Sequence, residues 1–310
     1  MNYMILPLSI KNLFLITIAM LTMQCSHERT LHASISYPRP LPDSVALPFL
    51  PGIVSSDTLD FNAAFAPDGK CFYFSRSVKG KWMIYMTELK EGSWSKPVLA
   101  PFTETEYSQA DPFITSDGTL YYISNRPRNN GDTIPDYDIW SIRRQSDGSW
   151  TRPQNIEAVN SDSAEYYVSC AANGNLYFAS DRMGTLGSHD IYVSRYVNGV
   201  YTAPENMGPA INSEKMEHDP MIAPDEQYLI FTSVDRADSY GSADLYYSIR
   251  SSNGTWSSAK NMGNKFNTNT YEYCAYLTPD KKYLFYSTNY DVKWISTRHF
   301  PWLIHSNKAR

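Results

Sequence analysis

Short stretches of alternating hydrophobic and polar residues recur along the chain, and each pair of stretches flanks a turn. Five such pairs share one pattern, and their turns are centred on Asp68, Asp117, Asn173, Asp225 and Asp280. One copy reads ITSDGTLYYISNR from Ile114, where Asp and Gly supply the side-chain capping and the positive φ that a tight hairpin needs. Alternation with a period of two on both sides of the turn predicts two half-buried strands in each copy.

Each copy continues with two further predicted strands. The third begins with MIY, DIW, DIY or DLY in copies one to four, at Met83, Asp138, Asp190 and Asp244. The fourth opens with an aromatic residue, at Trp94, Trp150, Tyr201 and Trp256. Neighbouring turns lie 49 to 56 residues apart, a period that suits one propeller blade. The pattern therefore predicts an all-β fold, a β-propeller of four-stranded antiparallel blades, in preference to a β-sandwich.

The two ends of the repeat region indicate how the ring closes. The fifth copy stops after its third strand near Trp294, with no segment for a fourth. Before the first copy, LPDSVALPF ending at Phe49 resembles PVLAPF ending at Phe102, the fourth-strand region of the first copy. We expect the N-terminal segment to supply the missing strand and to close a ring of five blades, because closure removes exposed sheet edges.

The order of these motifs resembles the TolB-type propeller repeat, a Pro-Asp relative of the WD-type repeats. The resemblance covers about residues 45–296, and PDG, LYF-S-(N/D)-R, DIY, W-x-x-P and N-x-G follow one another almost complete in copies two to four. Copies one and five depart from it, at Met83 and in DVKW from Asp291. TolB itself has six blades, so six is the alternative blade number. The resemblance implies a docking platform for another protein or peptide of the bacterial envelope.

The first 25 residues differ from the rest of the chain and predict export. The apolar run from Leu13 to Met23 is too short to span a bilayer but suits a signal peptide. Cys25 follows and resembles the lipid-attachment Cys of bacterial lipoproteins, although Met23 and Gln24 replace the usual small residues. We predict a signal peptide over 1–25, a flexible tether over 26–40, one propeller domain over 41–300 and a tail over 301–310. Lipidation at Cys25 would anchor the protein in the envelope, at the outer membrane; simple cleavage and secretion is the alternative.

Composition narrows the classes of partner and chemistry. The net charge of -5 offers no basic excess to neutralise phosphates, so nucleic acid is not an expected partner. Cys71, Cys170 and Cys274 have no CxxC spacing, so buried free thiols are expected rather than a zinc site. The chain has no G-x-S-x-G, H-E-x-x-H, P-loop or G-x-G-x-x-G motif. No metal, cofactor or catalytic residue is predicted.

A recurrent polar side chain precedes each turn centre by eight residues, at the predicted start of the innermost strand. These positions hold Asp60, Gln109, Glu165, Glu217 and Glu272. A residue type that recurs in blade after blade serves the blade, so the four carboxylates are predicted to be structural and to bond neighbouring backbone. The alternative is a carbohydrate-active enzyme or a glycan-binding propeller, because glycoside cleavage uses paired carboxylates.

Residues that break the fivefold pattern are the better candidates for binding. The next position along the strand holds Phe61, Ala110, Tyr166, His218 and Tyr273. An aromatic, weakly acidic channel mouth would suit peptide segments or sugar rings. The candidate binding residues are Tyr107, Gln109, Tyr166, Glu217, His218, Asp219, Tyr271 and Tyr273. We expect a non-catalytic binding or scaffolding propeller that engages a protein or peptide through its loops and channel mouth.

The loops between second and third strands carry the remaining candidates. Arg126 is predicted to pair with Asp138, and Arg182 with Asp190, each tying the loop to its own blade. Residues 127–135 form the most irregular insertion and a candidate contact surface. A calcium site built from Asp132, Asp136 and Asp138 is a less favoured alternative.

Overall fold

The structure is a computed structural model that describes Met1, residues 35–288 and residues 290–304. Residues 2–25 of the predicted signal peptide, including Cys25, lie outside the described residues, as do residues 26–34 and 305–310. None of the described helices is long and apolar enough to cross a membrane.

The first strand, β1 (Leu47–Pro48), completes the last blade. Leu47 pairs with Trp294 and Pro48 with Lys293, both on the third strand of the fifth repeat. Phe49, which follows, donates its N–H to the Val292 carbonyl at 2.8 Å. The N-terminal segment therefore supplies the fourth strand of blade 5, as predicted.

Five four-stranded antiparallel blades follow one another in sequence order. Blade 1 contains β2 (Asp60–Phe65), β3 (Cys71–Val78), β4 (Lys81–Lys90) and β6 (Val98–Leu99), with the short β5 (Ser93–Trp94) also paired to β4. Blade 2 contains β7 (Gln109–Ile114), β8 (Thr119–Ser124), β9 (Asp138–Arg143) and β10 (Gln154–Asn155). Blade 3 contains β11 (Glu165–Cys170), β12 (Leu176–Ser180), β13 (Asp190–Ser194) and, after a small hairpin of β14 (Tyr196–Val197) and β15 (Val200–Tyr201), β16 (Glu205–Asn206). Blade 4 contains β17 (Met216–Ile222), β18 (Tyr228–Val234), β19 (Ala243–Ile249) and β20 (Lys260–Asn261). Blade 5 contains β21 (Tyr273–Leu277), β22 (Tyr283–Thr288), β23 (Asp291–Ser296) and β1.

The first strands of the blades stand side by side around a central channel. Each packs against the first strand of the next blade, in the order β2, β7, β11, β17, β21 and back to β2. This order confirms a closed propeller of five blades, and the alternative of six blades is wrong. The prediction of an all-β propeller of four-stranded antiparallel blades is confirmed with it.

The five turns that define the repeat have the same geometry. In every turn the side chain of the central Asp or Asn accepts the N–H of the residue two positions later, at 2.9–3.2 Å. The residue between them has a positive φ, which Gly69, Gly118 and Gly174 adopt without strain. Glu226 and Lys281 replace this glycine in blades 4 and 5 and adopt the same positive φ.

Aromatic side chains fill the space between neighbouring blades. Between blades 5 and 1, Phe49 contacts the rings of Phe72 and Phe285 at 4.7 and 4.8 Å between centroids. Ile35 is buried in the same cluster, and Tyr37 packs against it and donates its hydroxyl to Asp280. Ile35 and Tyr37 therefore pack against the propeller, although they lie inside the segment predicted as a tether.

The chain end and the cysteines are also packed. A 3-10 turn (Thr297–His299) leads to the helix α1 (Pro301–Ile304), where Leu303 is buried and its carbonyl accepts the Tyr228 hydroxyl. Cys71, Cys170 and Cys274 are free. Burial raises the pKa of the Cys71 thiol to about 12, so this group stays protonated at neutral pH.

Candidate binding site in the channel

The carboxylates at the start of the inner strands are fully buried and hydrogen-bonded. Each accepts the backbone N–H of the residue four positions earlier, at 2.8–3.1 Å, and these donors are Ser56, Ser161, Ser213 and Thr268. The side-chain hydroxyls of the same residues also donate to Asp60, Glu165, Glu217 and Glu272. Every carboxylate therefore holds the linker that enters its blade, and these contacts support the predicted structural role.

Arginines neutralise three of these carboxylates. Arg76 pairs with Asp60 at 2.5 Å, Arg182 with Glu165 at 2.7 Å and Arg236 with Glu217 at 2.8 Å. Each guanidinium also donates to a linker carbonyl, those of Ile53, Val159 and Ile211. A buried charge that is paired and hydrogen-bonded in this way stabilises one geometry rather than offering a free reactive group.

The predicted loop pairings are wrong, because the arginines reach these inner positions instead. Arg182 pairs with Glu165, whereas Asp190 accepts the N–H groups of Leu186 and Gly187. In blade 2 the inner position is the neutral Gln109, and Arg126 pairs with Glu104 in the linker at 2.9 Å.

Eight ring-bearing side chains from all five blades form a chain around the channel mouth, which we call the aromatic arc. In order they are His189, Tyr166, Tyr137, Trp82, Phe61, Tyr273, Tyr271 and His218. The centroid of each ring lies 5.2–6.1 Å from the next. Because the arc runs from blade 3 through blades 2, 1 and 5 to blade 4, it surrounds the channel axis except between His189 and His218.

The arc combines two repeat positions at the same end of the propeller. Phe61, Tyr166 and Tyr273 stand at the start of first strands, as the sequence predicts. Trp82, Tyr137 and His189 stand at the start of third strands, which run parallel to the first strands. These three side chains were not among the predicted site residues, although in the sequence each immediately precedes a third-strand motif.

The predicted candidates separate into three groups in the structure. Tyr166, His218, Tyr271 and Tyr273 belong to the arc. Gln109 and Glu217 are buried in the linker contacts, and the ring of Tyr107 lies against the Arg126 guanidinium at 5.7 Å. Asp219 lies one residue beyond the arc, in a second set of channel residues.

This second set, which we call the bulge ring, occupies the next position along each first strand, after Phe61, Ala110, Tyr166, His218 and Tyr273. It consists of Asn62, Asp111, Tyr167, Asp219 and Cys274, each at most 6% exposed. All five have positive φ, from 40° to 66°, and the pairing register of every first strand shifts there. The conformation repeats in each blade whereas the residue type changes, which distinguishes this set from the recurrent carboxylates. Strained non-glycine backbone of this kind persists where surrounding structure holds it, often at binding sites.

The two acids of the bulge ring have different surroundings. Asp219 lies 3.0 Å from Nδ1 of His218 and accepts the N–H of Cys274 at 3.1 Å. Nε2 of His218 in turn lies 2.8 Å from the Tyr271 hydroxyl. Burial and the charge of Asp219 raise the pKa of Asp111 well above its usual range, against a backbone hydrogen bond from Tyr167. The carboxyl of Asp111 therefore binds a proton more readily than an ordinary aspartate does.

The irregular loop of blade 2 forms a separate depression of about 600 Å³. It is lined by residues of the loop and of the following linker, including Arg128, Asp132, Asn155 and Asp162. Arg128 pairs with Asp132 at 3.3 Å and with Asp162 at 2.9 Å, and its Nε lies 3.5 Å from Asp138. A guanidinium thus occupies the centre of the acids considered for calcium, and among the described residues no group of three or more His, Cys, Asp or Glu could hold a metal ion.

The fold is similar to those of solved structures of several kinds of protein. The chain is similar to TolB from Agrobacterium tumefaciens, with 18% identity, a TM-score of 0.47 and 78% of each chain covered. It is similar to TolB from Acinetobacter baumannii at 14% identity and a TM-score of 0.47, over 78% of this chain and 55% of that one. A thermostable family-43 glycoside hydrolase has 11% identity and a TM-score of 0.50, over 84% of this chain and 91% of that one. At these identities the likeness describes the propeller fold alone. No family model matches the chain, and no curated protein matches it.

Proposed function

We propose that this protein is a non-catalytic binding propeller of the bacterial cell envelope, which captures a segment of a partner protein or peptide at the mouth of its central channel. The aromatic arc is the observation that carries this proposal. Tyr137, Tyr166, Tyr271 and Tyr273 are partly exposed, so part of their ring surface is accessible to a partner at the channel mouth. Such side chains bury large areas at little conformational cost and dominate protein recognition sites.

The recurrent carboxylates support binding over catalysis. Catalysis by a carboxylate pair needs one acid and one base that reach the substrate, each with its own environment. Glu165 and Glu217 are 0% exposed and each is bound by an arginine. Their oxygens already accept hydrogen bonds from the protein, so neither group is free to act on a substrate.

A glycan-binding or glycan-cleaving propeller is the second candidate, favoured by one observation. Asp111 and Asp219 lie in the channel in distinct environments, and the pKa of Asp111 is raised. Aromatic side chains near an acid and a carboxylate also suit sugars. If the protein acts on sugars, the acids that contact the sugar are Asp111 and Asp219 of the bulge ring. They are not the recurrent carboxylates Asp60, Glu165, Glu217 and Glu272.

Affinity capture from envelope extracts tests the proposal. The tagged protein and its Tyr166→Ala variant are compared with Tyr196→Ala, which changes an exposed tyrosine of the outer β14–β15 hairpin. We expect a specific partner that native protein and Tyr196→Ala retain equally and Tyr166→Ala loses at least tenfold. Equal retention by both variants would remove the channel mouth from the proposal.

A parallel assay separates the second candidate from the first. The purified protein is incubated with a panel of plant and bacterial polysaccharides, and both bound sugar and released reducing ends are measured. Turnover that disappears in Asp111→Asn and Asp219→Asn would establish an enzyme. Binding to the partner protein without sugar binding or turnover is the outcome that we expect.

Membrane attachment has its own test. The envelope location and the lipid anchor at Cys25 remain proposals, supported by the signal-peptide-like apolar run before Cys25. Cells fed a palmitate analogue should label the native protein and leave Cys25→Ala unlabelled. Equal labelling of the two proteins would contradict the anchor.

A further inference from the structure

The two acids of the bulge ring have no arginine partner, unlike three of the four recurrent inner carboxylates. Asp60, Glu165 and Glu217 are each neutralised by a guanidinium within 2.8 Å. Among the described residues, no lysine or arginine pairs with Asp111 or Asp219, and the only basic contact of Asp219 is the imidazole of His218. The channel beneath the aromatic arc therefore contains two acids that neither a lysine nor an arginine neutralises.

Unused acceptor atoms occur in the same set. Oδ1 of Asp111 and Oδ1 of Asn62 are buried and have no hydrogen-bond partner. The two residues are 6% and 2% exposed and occupy equivalent positions in adjacent blades. An orphaned buried acceptor costs about 1–3 kcal/mol, so a site that keeps two of them is suited to a donor that arrives from outside.

We infer that the channel mouth binds an ammonium group, that of a lysine side chain on the partner segment, between the aromatic arc and the oxygens of Asp111, Asn62 and Asp219. This inference rests on the proposed function and names what the captured segment must carry. An ammonium is a compact charge with three donors, which matches several acceptors around a narrow channel better than the flat fork of a guanidinium. Aromatic rings around the entrance add cation–π attraction, about 0.5–2 kcal/mol for each well-placed ring.

A metal ion fits the same place less well. Among the described residues no group of three or more metal-ligating side chains is close enough to hold one. The walls of the site are rings rather than oxygen ligands, and an organic cation gains from both kinds of surface.

The tyrosines, the Cys274 thiol and the His189 imidazole around Asp111 favour their neutral forms near pH 7. Burial raises the pKa of Tyr166 to about 12, and it raises the pKa values of Tyr137, Tyr167, Tyr271 and Tyr273 in the same direction. The thiol of Cys274 is held protonated by burial and by Asp219, and burial lowers the pKa of His189, which favours its neutral form. Asp219 and His218 also face the channel beside Asp111, and they contact each other at 3.0 Å.

Binding of the ammonium should therefore release the proton of Asp111. Because the pKa of Asp111 is raised in the free protein, the acid is neutral at low pH and attracts a cation weakly. Raising the pH removes this proton without help from the ligand, so affinity should rise by up to tenfold per pH unit until Asp111 is ionised in the free protein.

The test uses a capped Gly-Gly-Lys-Gly-Gly peptide and the same peptide with an acetylated lysine, titrated into the full-length protein in detergent by calorimetry. At pH 8 we expect at least tenfold tighter binding of the charged peptide, and weaker binding of it at pH 6. Asp111→Asn should lower this affinity at least tenfold and abolish the pH dependence. Asp68→Asn, which changes an acid in a hairpin turn at the far end of blade 1, should bind like the native protein.

The outcomes separate this inference from the proposed function. Equal affinity for the charged and acetylated peptides, in native protein that retains its captured partner, would overturn the ammonium inference alone. If, in addition, the Tyr166→Ala variant retains the captured partner, both the ammonium inference and the proposed function are contradicted. Thermal unfolding of Asp111→Asn checks that this variant is folded, and the comparison of the two peptides on native protein does not depend on it.

Discussion

At the scale of single residues, the same kind of ion pair has very different importance in two places. Glu217 is buried and bound by Arg236, Ser213 and Ser233, whereas Glu205 lies on the surface with Arg195 at 3.1 Å. Removing one partner of a buried pair leaves the other charge without compensation, while exposed pairs contribute little.

We predict that Glu217→Gln lowers the free energy of unfolding by about 3 kcal/mol. The matched surface variant Glu205→Gln should change it by less than about 1 kcal/mol. Urea unfolding of the two variants and the native protein measures both effects. Equal effects would show that the inner carboxylates do not hold the blades.

Asp138 illustrates how one insertion changes the environment of a repeated residue. Its counterpart in blade 3, Asp190, accepts two N–H groups from its own loop. The corresponding loop of blade 2 is longer, and Oδ1 of Asp138 has no hydrogen-bond partner. Burial, opposed by Arg128, raises the pKa of Asp138 to about 7.

A raised carboxyl pKa in the folded state makes stability fall as the pH rises. The unfolded chain ionises Asp138 from about pH 4, so this group costs at most about 1.4 kcal/mol per pH unit up to about pH 7. Asp138→Asn should therefore gain stability over the native protein between pH 5 and pH 7. The matched variant Asp190→Asn should lose stability throughout, and a pH-independent difference for Asp138→Asn would contradict the raised pKa.

At the scale of strands and turns, the parts of the fold that depend on local sequence were the predictable ones. The hairpins around Asp68 and Asp117 follow from turn residues and alternation within a dozen positions. Closure by β1 was predictable because the segment ending at Phe49 resembles a fourth-strand region and the fifth copy lacks one.

Contacts between blades were harder to predict. The arginine partners were misassigned because Arg182 reaches Glu165 across its own blade rather than the acid nearest to it in the motif. Three of the eight arc residues were missed because Trp82, Tyr137 and His189 stand at the start of third strands. Only the fold brings them beside the rings of the first strands. The bulge ring could not be predicted from period-two alternation, because a residue with positive φ changes the direction of the side chains that follow it.

Closure by β1 leads to a prediction about Phe49. This side chain is fully buried where blade 5 meets blade 1. Phe49→Ala should cost about 3–5 kcal/mol, and hydrogen exchange should rise first in β23 and β2 rather than in blade 3. Val98→Ala on the exposed outer strand of blade 1 is the control and should change neither. Uniform exchange across all blades would contradict closure at this place.

At the scale of the whole molecule, we propose that the propeller separates the residues that maintain the fold from those that recognise a partner. Residues that recur in the blades maintain the ring, and residues that differ between blades meet in the channel. The outer surfaces and the hairpin of β14 and β15 can then vary without affecting the mouth.

Site-specific photo-crosslinking in living cells tests this division most directly. A photoreactive phenylalanine analogue replaces Tyr166 or Tyr273 in the arc, or Tyr196 on the outer hairpin. We predict one shared crosslinked partner from both arc positions, lost when Asp111→Asn is added, and no such product from position 196. The same product from position 196, or none from the arc, would contradict recognition at the channel mouth.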